Sequence, residues 1–432
     1  MTIELSQAAS SDAPQSRGPL QTDDPLSETP AHTPQYKIAG TRIGMVVFSL
    51  YPSDPRPRRA AEALLQEGAS VDLICEAENG SQPRVRTGGL DITRIPIRHY
   101  RGGTLSYFYQ YSSFIFISTA IFAWRTFRRR YDLIYVHNMP DVLVAAALIP
   151  KLFGAKVILD QHDPMPELMM TIFGKSENSA PVRLLRWLER WSVRRADLLI
   201  TVNAACKKIF SVRSCPVEKI GVVMNSPDQG LFPYHDARSY PTRSVGAPFV
   251  VMFHGSLVER NGLHLAVDAL ALLHKTVPEL ELRVYGRTTA YLEQIMSRVR
   301  VEGLEDKVIY LGPKKLEDLG GEIEQCDIGI VPNQRNTFTD INTPTRIFEY
   351  LALGKPVIAP STPGITDYFD SNSLIFFEAG NAEDLAKQIE FACSHPSEAK
   401  AIAERGQAVY STHTWDQERK KLLHAVSTLL ES

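Results

Sequence analysis

Short, continuously apolar runs alternate with helical stretches along most of this chain, and a chain with that rhythm has few folds open to it. Ile43–Ser49 is the first run. A loop rich in Pro, Ser and Asp follows, then a stretch of helical character from Arg59 to Glu67 that stops at Gly68, then a second run, Val71–Cys75. The rhythm returns as Leu133–Val136, a helix over Val142 to Phe153, Lys156–Asp160, a helix around Val182 to Arg194, and Leu198–Val202. Runs that are apolar at every position predict strands buried on both faces, the mark of a parallel sheet covered by helices on each side. The stretch from Asn225 to Pro248, which carries Pro227, Pro233, Pro241 and Pro248, interrupts the pattern. A second series opens with Phe249–His254 and a helix from Gly262 to Lys275. It continues through Leu282–Tyr285, Val308–Leu311, Ile328–Val331 and Pro356–Ala359. The expected fold class is α/β, with two doubly wound parallel-sheet, Rossmann-like domains flanking one linker.

The boundaries follow. Residues 1–38 have too few large apolar side chains to offset chain entropy and are expected to be a disordered lead. The first domain is expected at 39–225, the linker at 226–248, the second domain at 249–412 and an amphipathic helix with a Lys/Arg face at 413–432. Lys+Arg at 47 against Asp+Glu at 49 leaves a formal charge of −2, so no overall basic field exists to hold nucleic acid by counterion release. The five cysteines form no C-x-x-C or Cys/His cluster, which fits a reducing compartment without structural zinc. The start, Met1 to Leu5, has no basic segment leading into an apolar run, so the expected location is the cytoplasm.

In open α/β sheets ligands bind beyond the C-terminal ends of the strands, so two such domains predict a shared cleft with its chemistry on strand-end loops. The most informative stretch is Asn342 to Pro360. Pro344 and its small polar neighbours favour a loop turning into a helix whose first N–H groups can hold an anion. Arg346 adds a cation in that turn. Glu349 follows one turn on, where a carboxylate can accept hydrogen bonds from a vicinal diol such as a ribose. Gly354-Lys355-Pro356 ends the helix. A phosphate at the helix tip with a diol beside it describes a nucleotide site.

The run Pro344-x-Arg346-x-x-Glu349-Tyr350-x-x-x-Gly354-Lys355-Pro356-Val357-Ile358-Ala359 resembles the donor-binding signature of family 4 glycosyltransferases, a retaining, nucleotide-sugar-dependent group with the GT-B fold. Asp54-Pro55-Arg56, His137-Asn138-Met139-Pro140-Asp141, the segment Leu159 to Glu167, and His254-Gly255-Ser256-Leu257 stand in the family's order. The resemblance implies two domains facing across a cleft, the first binding the acceptor and the second the donor, in bacterial cell-surface polysaccharide assembly. Glu349 is similar to the second glutamate of the family's E-x7-E element. The place of the first holds Ile341, with Asp340 beside it, so Asn342 and Thr343 are the substitutes for holding the donor sugar. The usual Gly-Arg-Leu-x-x-x-Lys-Gly appears as Gly255 to Gly262 with both cations replaced. Arg260 and Arg346 are therefore expected to take the diphosphate, alongside Gly255, Ser256 and Thr345. His162 is similar to the family's histidine beside the reacting centre; with Asp163 it forms the expected catalytic pair, and Glu167 is a further acid/base candidate. Asp54, Arg56, His137 and Asn138 are acceptor-side candidates. No Asp-x-Asp follows an apolar strand, so no metal and no cofactor are expected, arginine and helix dipole carrying the phosphate charge instead.

On the residues alone each assignment has a plainer alternative: an exposed helix carboxylate for Glu349, a solvated loop cation for Arg260, satisfied strand-end histidines for His162 and His137, and loop shaping for Asp54 and Arg56. For the whole chain the competing functions are a nucleotide-sugar epimerase or phosphorylase on the same fold, and a catalytically silent nucleotide-sugar-binding or membrane-scaffold protein. A dehydrogenase is excluded, because no G-x-G-x-x-G follows Ile43–Ser49.

Leu105 to Trp124 carries no charge and is followed by Arg125 and Arg128 to Arg130. A stretch of roughly 20 apolar residues can span a bilayer. Six Ser, Thr or Gln side chains interrupt this one, and a span would separate Leu133–Val136 from the first strand. Three expectations remain: a span, which these two features disfavour, a core helix covering the sheet, or a peripheral membrane contact through Leu105 to Arg130 at the inner face of the cell membrane. The last suits a polyprenyl-linked acceptor. The expected partners are a nucleotide-sugar donor and a glycan or polyprenyl-linked acceptor, with no nucleic acid.

Overall fold

The computed structural model describes residues 36–97, 104–239 and 246–432, with side chains in the helix that begins at Thr104 described from Tyr109 onward. The lead expected at 1–38 lies, up to residue 35, outside the described residues.

Among the described residues fourteen strands form two sheets. The first holds β1 (Arg42–Leu50), β2 (Ser70–Glu76), β3 (Arg84–Thr87), β4 (Leu90–Ile95), β5 (Leu133–His137), β6 (Lys156–Gln161), β7 (Leu198–Thr201) and β8 (Ile220–Val222), in the order β3-β4-β2-β1-β5-β6-β7-β8. The second holds β9 (Phe249–His254), β10 (Leu280–Tyr285), β11 (Val308–Tyr310), β12 (Ile328–Ile330), β13 (Val357–Pro360) and β14 (Ile375–Phe377), in the order β11-β10-β9-β12-β13-β14. The central strands are buried along their length, which is why their sequences are apolar runs rather than alternations. One pairing departs from the expected all-parallel pattern: β3 and β4 form an antiparallel hairpin with Thr87 opposite Leu90. The two residues between them, Gly88 and Gly89, both take positive φ, as a twist-matched two-residue turn requires.

The helices are α1 (Pro55–Gln66), α2 (Thr104–Arg128), α3 (Leu148–Leu152), α4 (Met165–Phe173), α5 (Ala180–Arg195), α6 (Ala204–Arg213) and α7 (Leu263–Leu273). Then come α8 (Ala290–Val301), α9 (Leu316–Glu324), α10 (Thr345–Ala352), α11 (Pro363–Thr366), α12 (Ala382–Ser394), α13 (Pro396–Ser411) and α14 (Trp415–Glu431). The helix expected over Val142 to Phe153 is a 3-10 stretch, Asp141–Ala147, that runs into the short α3. No helix among the described residues is long and apolar enough to cross a membrane. The charge-free stretch is most of α2, whose Phe114, Ser118 and Phe122 are fully buried in the first sheet's core.

The chain divides into two compact units, Met1–Ile158 with Val426–Ser432, and Leu159–Ala425. The division falls inside β6 rather than in the interval 226–248, although that interval does separate the last strand of one sheet from the first of the other. The reason is a set of ties within the second unit. Thr171 Oγ1 donates to Asn336 Oδ1 at 2.9 Å, Asn203 Nδ2 donates to Ile341 O at 2.8 Å, and Lys208 pairs with Asp367 at 2.7 Å. These bonds bind the segments after β6 to the loops of the second sheet. The helix α14 belongs to both units: Glu418 accepts from Met224 N at 2.8 Å in the second, and Ser427 accepts from Lys37 N at 3.2 Å in the first.

Candidate functional site

In the second sheet the strand order reverses between β9 and β12, and such a reversal leaves an open crevice beyond the strands' C-terminal ends. β9 ends there in His254 and passes into the exposed Gly255 and Ser256. Gly255 has a φ of +119°, a left-handed conformation that favours glycine, and its N–H donates to Tyr285 O at 3.1 Å. A Cβ on Gly286 would stand 2.3 Å from Gly255 O, so the ends of β9 and β10 approach backbone to backbone only because a glycine is there.

Arg346 closes the crevice floor. Its Nη1 donates to His254 O and its Nη2 to Asn333 Oδ1, both at 2.8 Å, which bridges the ends of β9 and β12. Its guanidinium also lies 5.1 Å from the Phe253 ring centroid. These two bonds use part of a five-donor fork, and the remainder stays available to an anion. Burial draws the Arg346 pKa below its ordinary value, yet a guanidinium remains charged at any physiological pH. Arg346 is the second residue of α10, whose N-cap, Pro344, offers no side-chain cap to the first-turn N–H groups. An uncapped helix start beside a half-satisfied guanidinium is an anion site in the making.

Glu349 follows one turn along α10, with Oε2 3.4 Å from His254 Nε2. Burial, aided by the Arg346 charge, pushes the His254 pKa down from 6.5 to about 3, so the imidazole is neutral and this contact is a polar one rather than an ion pair. The unfolded chain takes up that proton near pH 6.5 and the folded chain only near pH 3. The contribution to stability is therefore complete above pH 6.5 and lost as pH falls toward 3. Acidification from pH 6.5 to 4 is expected to cost about 3 kcal/mol through this residue. Thermal melts of His254→Gln should lose that part of the acid slope; an unaltered slope would place the sensitivity elsewhere.

The other expected site residues take several places. Thr343 is a brace: its hydroxyl donates to Gly364 O at 2.5 Å and accepts from Asn203 Nδ2 at 3.0 Å, holding the loop that leads into α10. Asn342 stands just before it, its backbone N–H bonded to Thr339 O, and Thr345 opens α10 half-buried. Arg260 sits in a 3-10 turn, Glu259–Asn261, partly buried. Desolvation lowers its pKa, and the Asp163 carboxylate works in the opposite direction, so the structure brings Asp163 within electrostatic reach of Arg260. His162 and Asp163 follow β6 directly, both half-buried. Lys355, from the same motif, is buried and donates to Glu324 O at 2.8 Å; burial lowers its pKa to about 8. Glu167 is taken up elsewhere, bonded to Arg213.

In the first unit the strand order reverses between β1 and β5, and the acceptor-side candidates gather at those strand ends. Asp54 caps α1 by accepting from Arg56 N at 3.2 Å, and it also accepts from Ser49 Oγ at 2.9 Å. Arg56 is largely buried. His137, fully buried, packs its ring 4.6 Å from that of Tyr135, and Asn138 Nδ2 donates to Asp141 Oδ1 at 3.0 Å. Sequence reasoning did not single out His254, Asn333 or Asn203 as site residues. The signal for His254 was its place as the last residue of an apolar strand before a glycine; nothing local pointed to the other two.

Two family models match the chain. "Glycosyl transferase 4-like domain" covers residues 54–226, and "Glycosyl transferases group 1" covers residues 241–409. Among curated relatives, WcaL of Salmonella typhimurium, named as a colanic acid biosynthesis glycosyltransferase, is 23% identical over 179 residues, 41% of this chain and 43% of that protein. The D-inositol 3-phosphate glycosyltransferase of Arthrobacter sp. strain FB24 is 24% identical over 278 residues, 62% of this chain and 63% of that protein. The chain thus spans less than two thirds of the length of these relatives. Among solved structures, sucrose-phosphate synthase from Thermosynechococcus elongatus superposes with a TM-score of 0.72 at 16% identity, covering 90% of this chain and 99% of that one. Anabaena Alr3699/HepE, solved in complex with UDP-glucose, superposes with a TM-score of 0.64 at 18% identity, covering 90% and 99%. At these identities the likeness speaks to the fold alone.

Proposed function

The chain belongs to the group 1 and 4-like glycosyltransferases of GT-B fold, and on that premise we propose that it moves a sugar from a nucleotide-diphosphate donor to a glycan or lipid-linked glycan, with retention of configuration and without a metal. The observation that carries this reading is the uncapped start of α10 at the strand-order reversal, with Arg346 in its first turn and Glu349 one turn on. In this proposal the diphosphate rests against the Thr345 and Arg346 N–H groups and the unspent donors of Arg346, while Glu349 accepts from the ribose hydroxyls. Helix dipole and guanidinium together neutralise the leaving group, which is where charge develops. The bond from the anomeric carbon to phosphate oxygen breaks as the acceptor oxygen attacks from the same face, and the leaving phosphate takes the acceptor's proton. His162 then bonds a sugar hydroxyl or the acceptor and positions it. Support for the donor class comes from the structural neighbour solved with UDP-glucose; support for a surface-polysaccharide acceptor comes from the name of WcaL. A cytoplasmic location follows from that donor class.

The test is release of UDP or GDP by the full chain, given a panel of nucleotide sugars with an acceptor extract. Release that depends on both substrates supports the reading. Donor binding without release favours a silent binding protein, and donor consumption that needs no acceptor favours an epimerase or phosphorylase. Donor thermal shifts narrow the panel beforehand, since a ligand at 100 times its Kd adds about 2.7 kcal/mol of stability. Within this reading His162→Ala is expected to lower kcat by about tenfold or more while the donor Kd moves by less than about twofold. A large change in Kd with kcat preserved would make His162 a binding residue instead.

A further inference from the structure

The helix α2 has two unlike faces. Gln110, Phe114, Ser118, Phe122 and Arg125 recur along the buried side, with Phe114 set edge-on to Phe48 at 5.0 Å and Arg125 bonded to Thr93 Oγ1 at 2.6 Å. The opposite side is aromatic and open: Tyr109 is 64% exposed, Phe116 76%, Trp124 51% and Phe127 69%. At 100° per residue Tyr109, Phe116 and Phe127 fall on one line, which runs for about 27 Å along the helix. Leu152 of α3, 84% exposed, adds to the same end, since Phe127 meets Phe153 at 5.2 Å between ring centroids. Scattered exposed apolar residues are ordinary; four large exposed rings aligned on one face of a single helix, with only small side chains such as Ser112 and Ala120 between them, mark a contact surface.

Charge selects the occupant. From Thr104 to Arg128 the sequence has no Asp or Glu. Arg128, Arg129 and Arg130 are exposed where the stripe ends, Arg128 lying 3.7 Å over the Trp124 ring. The nearest acid that follows, Asp132, is engaged by the Arg42 N–H at 2.7 Å. Aromatic rings beside exposed guanidinium groups match the boundary between acyl chains and anionic headgroups. We propose that the outer face of α2, extended by Leu152, is a membrane-docking surface that lies on an anionic bilayer without crossing it. This inference stands apart from the donor assignment, and its test does not depend on activity.

The full chain is mixed with vesicles of phosphatidylcholine alone or with phosphatidylglycerol added, then sedimented. Binding is expected with phosphatidylglycerol, little without it, and less as salt rises. Phe116→Ser/Phe127→Ser/Leu152→Ser should lower vesicle partition at least tenfold with an unchanged melting midpoint, and Arg128→Gln/Arg129→Gln should lower it roughly fivefold per cation removed. In the unsubstituted chain, brominated lipid should quench tryptophan emission, and Trp124→Phe should abolish most of that quenching. Failure of the unsubstituted chain to sediment with phosphatidylglycerol vesicles overturns the proposal. So does equal binding by the triple variant, or a dimer that the triple variant converts to monomer with no vesicle binding in either form.

Discussion

Glu349→Ala is expected to raise the dissociation constant of the nucleotide-sugar donor by about tenfold or more, a loss of at least about 1.4 kcal/mol. The carboxylate projects from α10 one turn beyond Arg346, in the crevice where the strand order reverses. One neighbour there is an imidazole that burial keeps neutral. The Glu349 charge also favours the charged form of Arg346, so the melting midpoint of the variant is read alongside its affinity; the fold is expected to survive because His254 O and Asn333 still anchor the guanidinium. Glu349→Gln should recover part of the affinity, because an amide keeps one acceptor oxygen for the diol but loses the charge-assisted strength of the pair. Calorimetric titration of the variant reads the effect directly, and an unchanged donor Kd would remove Glu349 from the nucleoside site.

Arg213→Ala should have the largest effect on stability. Its guanidinium donates to Glu167 at 2.5 and 2.9 Å and to Glu189 at 2.8 and 2.6 Å, and both carboxylates are buried. Burial opposes the arginine's charge, but the bonds to Glu167 and Glu189 outweigh it and raise the pKa above the ordinary value. Taking away the cation strands two carboxylates among α4, α5 and α6, and breaking a buried pair in this way costs about 3–5 kcal/mol. The melting midpoint is expected to fall by on the order of 10 °C. Arg213→Lys should not restore it, since an ammonium cannot serve two carboxylates in the planar, forked geometry. This also separates a structural from a catalytic Glu167: Glu167→Gln is expected to lower stability, with kcat of the remaining folded enzyme changed little. A melting midpoint unmoved by Arg213→Ala would show that solvent reaches the cluster.

The local structure of the stretch around α10 could be read from the sequence. Asn342 to Pro360 announced a loop, a helix and a strand in order, and α10 starts at Thr345 with Pro344 as its N-cap and β13 at Val357. These are local features, decided by proline geometry and a helix period within one short stretch. What Arg346 does with its guanidinium was not local. Its acceptor on β9, His254 O, is 92 residues away in sequence, and Asn333 reaches it from beyond β12. The depressed pKa of His254 has the same origin, because it needs the burial supplied by both strands and the charge supplied by α10. Thr343 was expected beside the donor sugar for its position in the motif; its bonds to Gly364 O and Asn203 depend on α6 and α11 arriving from either side.

The α2 segment separates the two kinds of information most clearly. Its sequence excluded charge from about 20 residues and limited the outcomes to core, surface or span. Nothing in the spacing said which face would be used, because aromatic residues occupy nearly the whole circumference. Packing on the first sheet chose Phe114, Ser118 and Phe122 for the interior and left Tyr109, Phe116 and Phe127 outside. By itself the sequence determined the alternation of buried strands and helices, and hence two sheets that are parallel apart from the β3–β4 hairpin, because apolar runs and helix periods are properties of neighbouring residues. The tertiary structure alone decided strand order, the position of the crevice, the neutral state of His254 and the exposed face of α2, because each arises where segments far apart in the chain exclude water from one another.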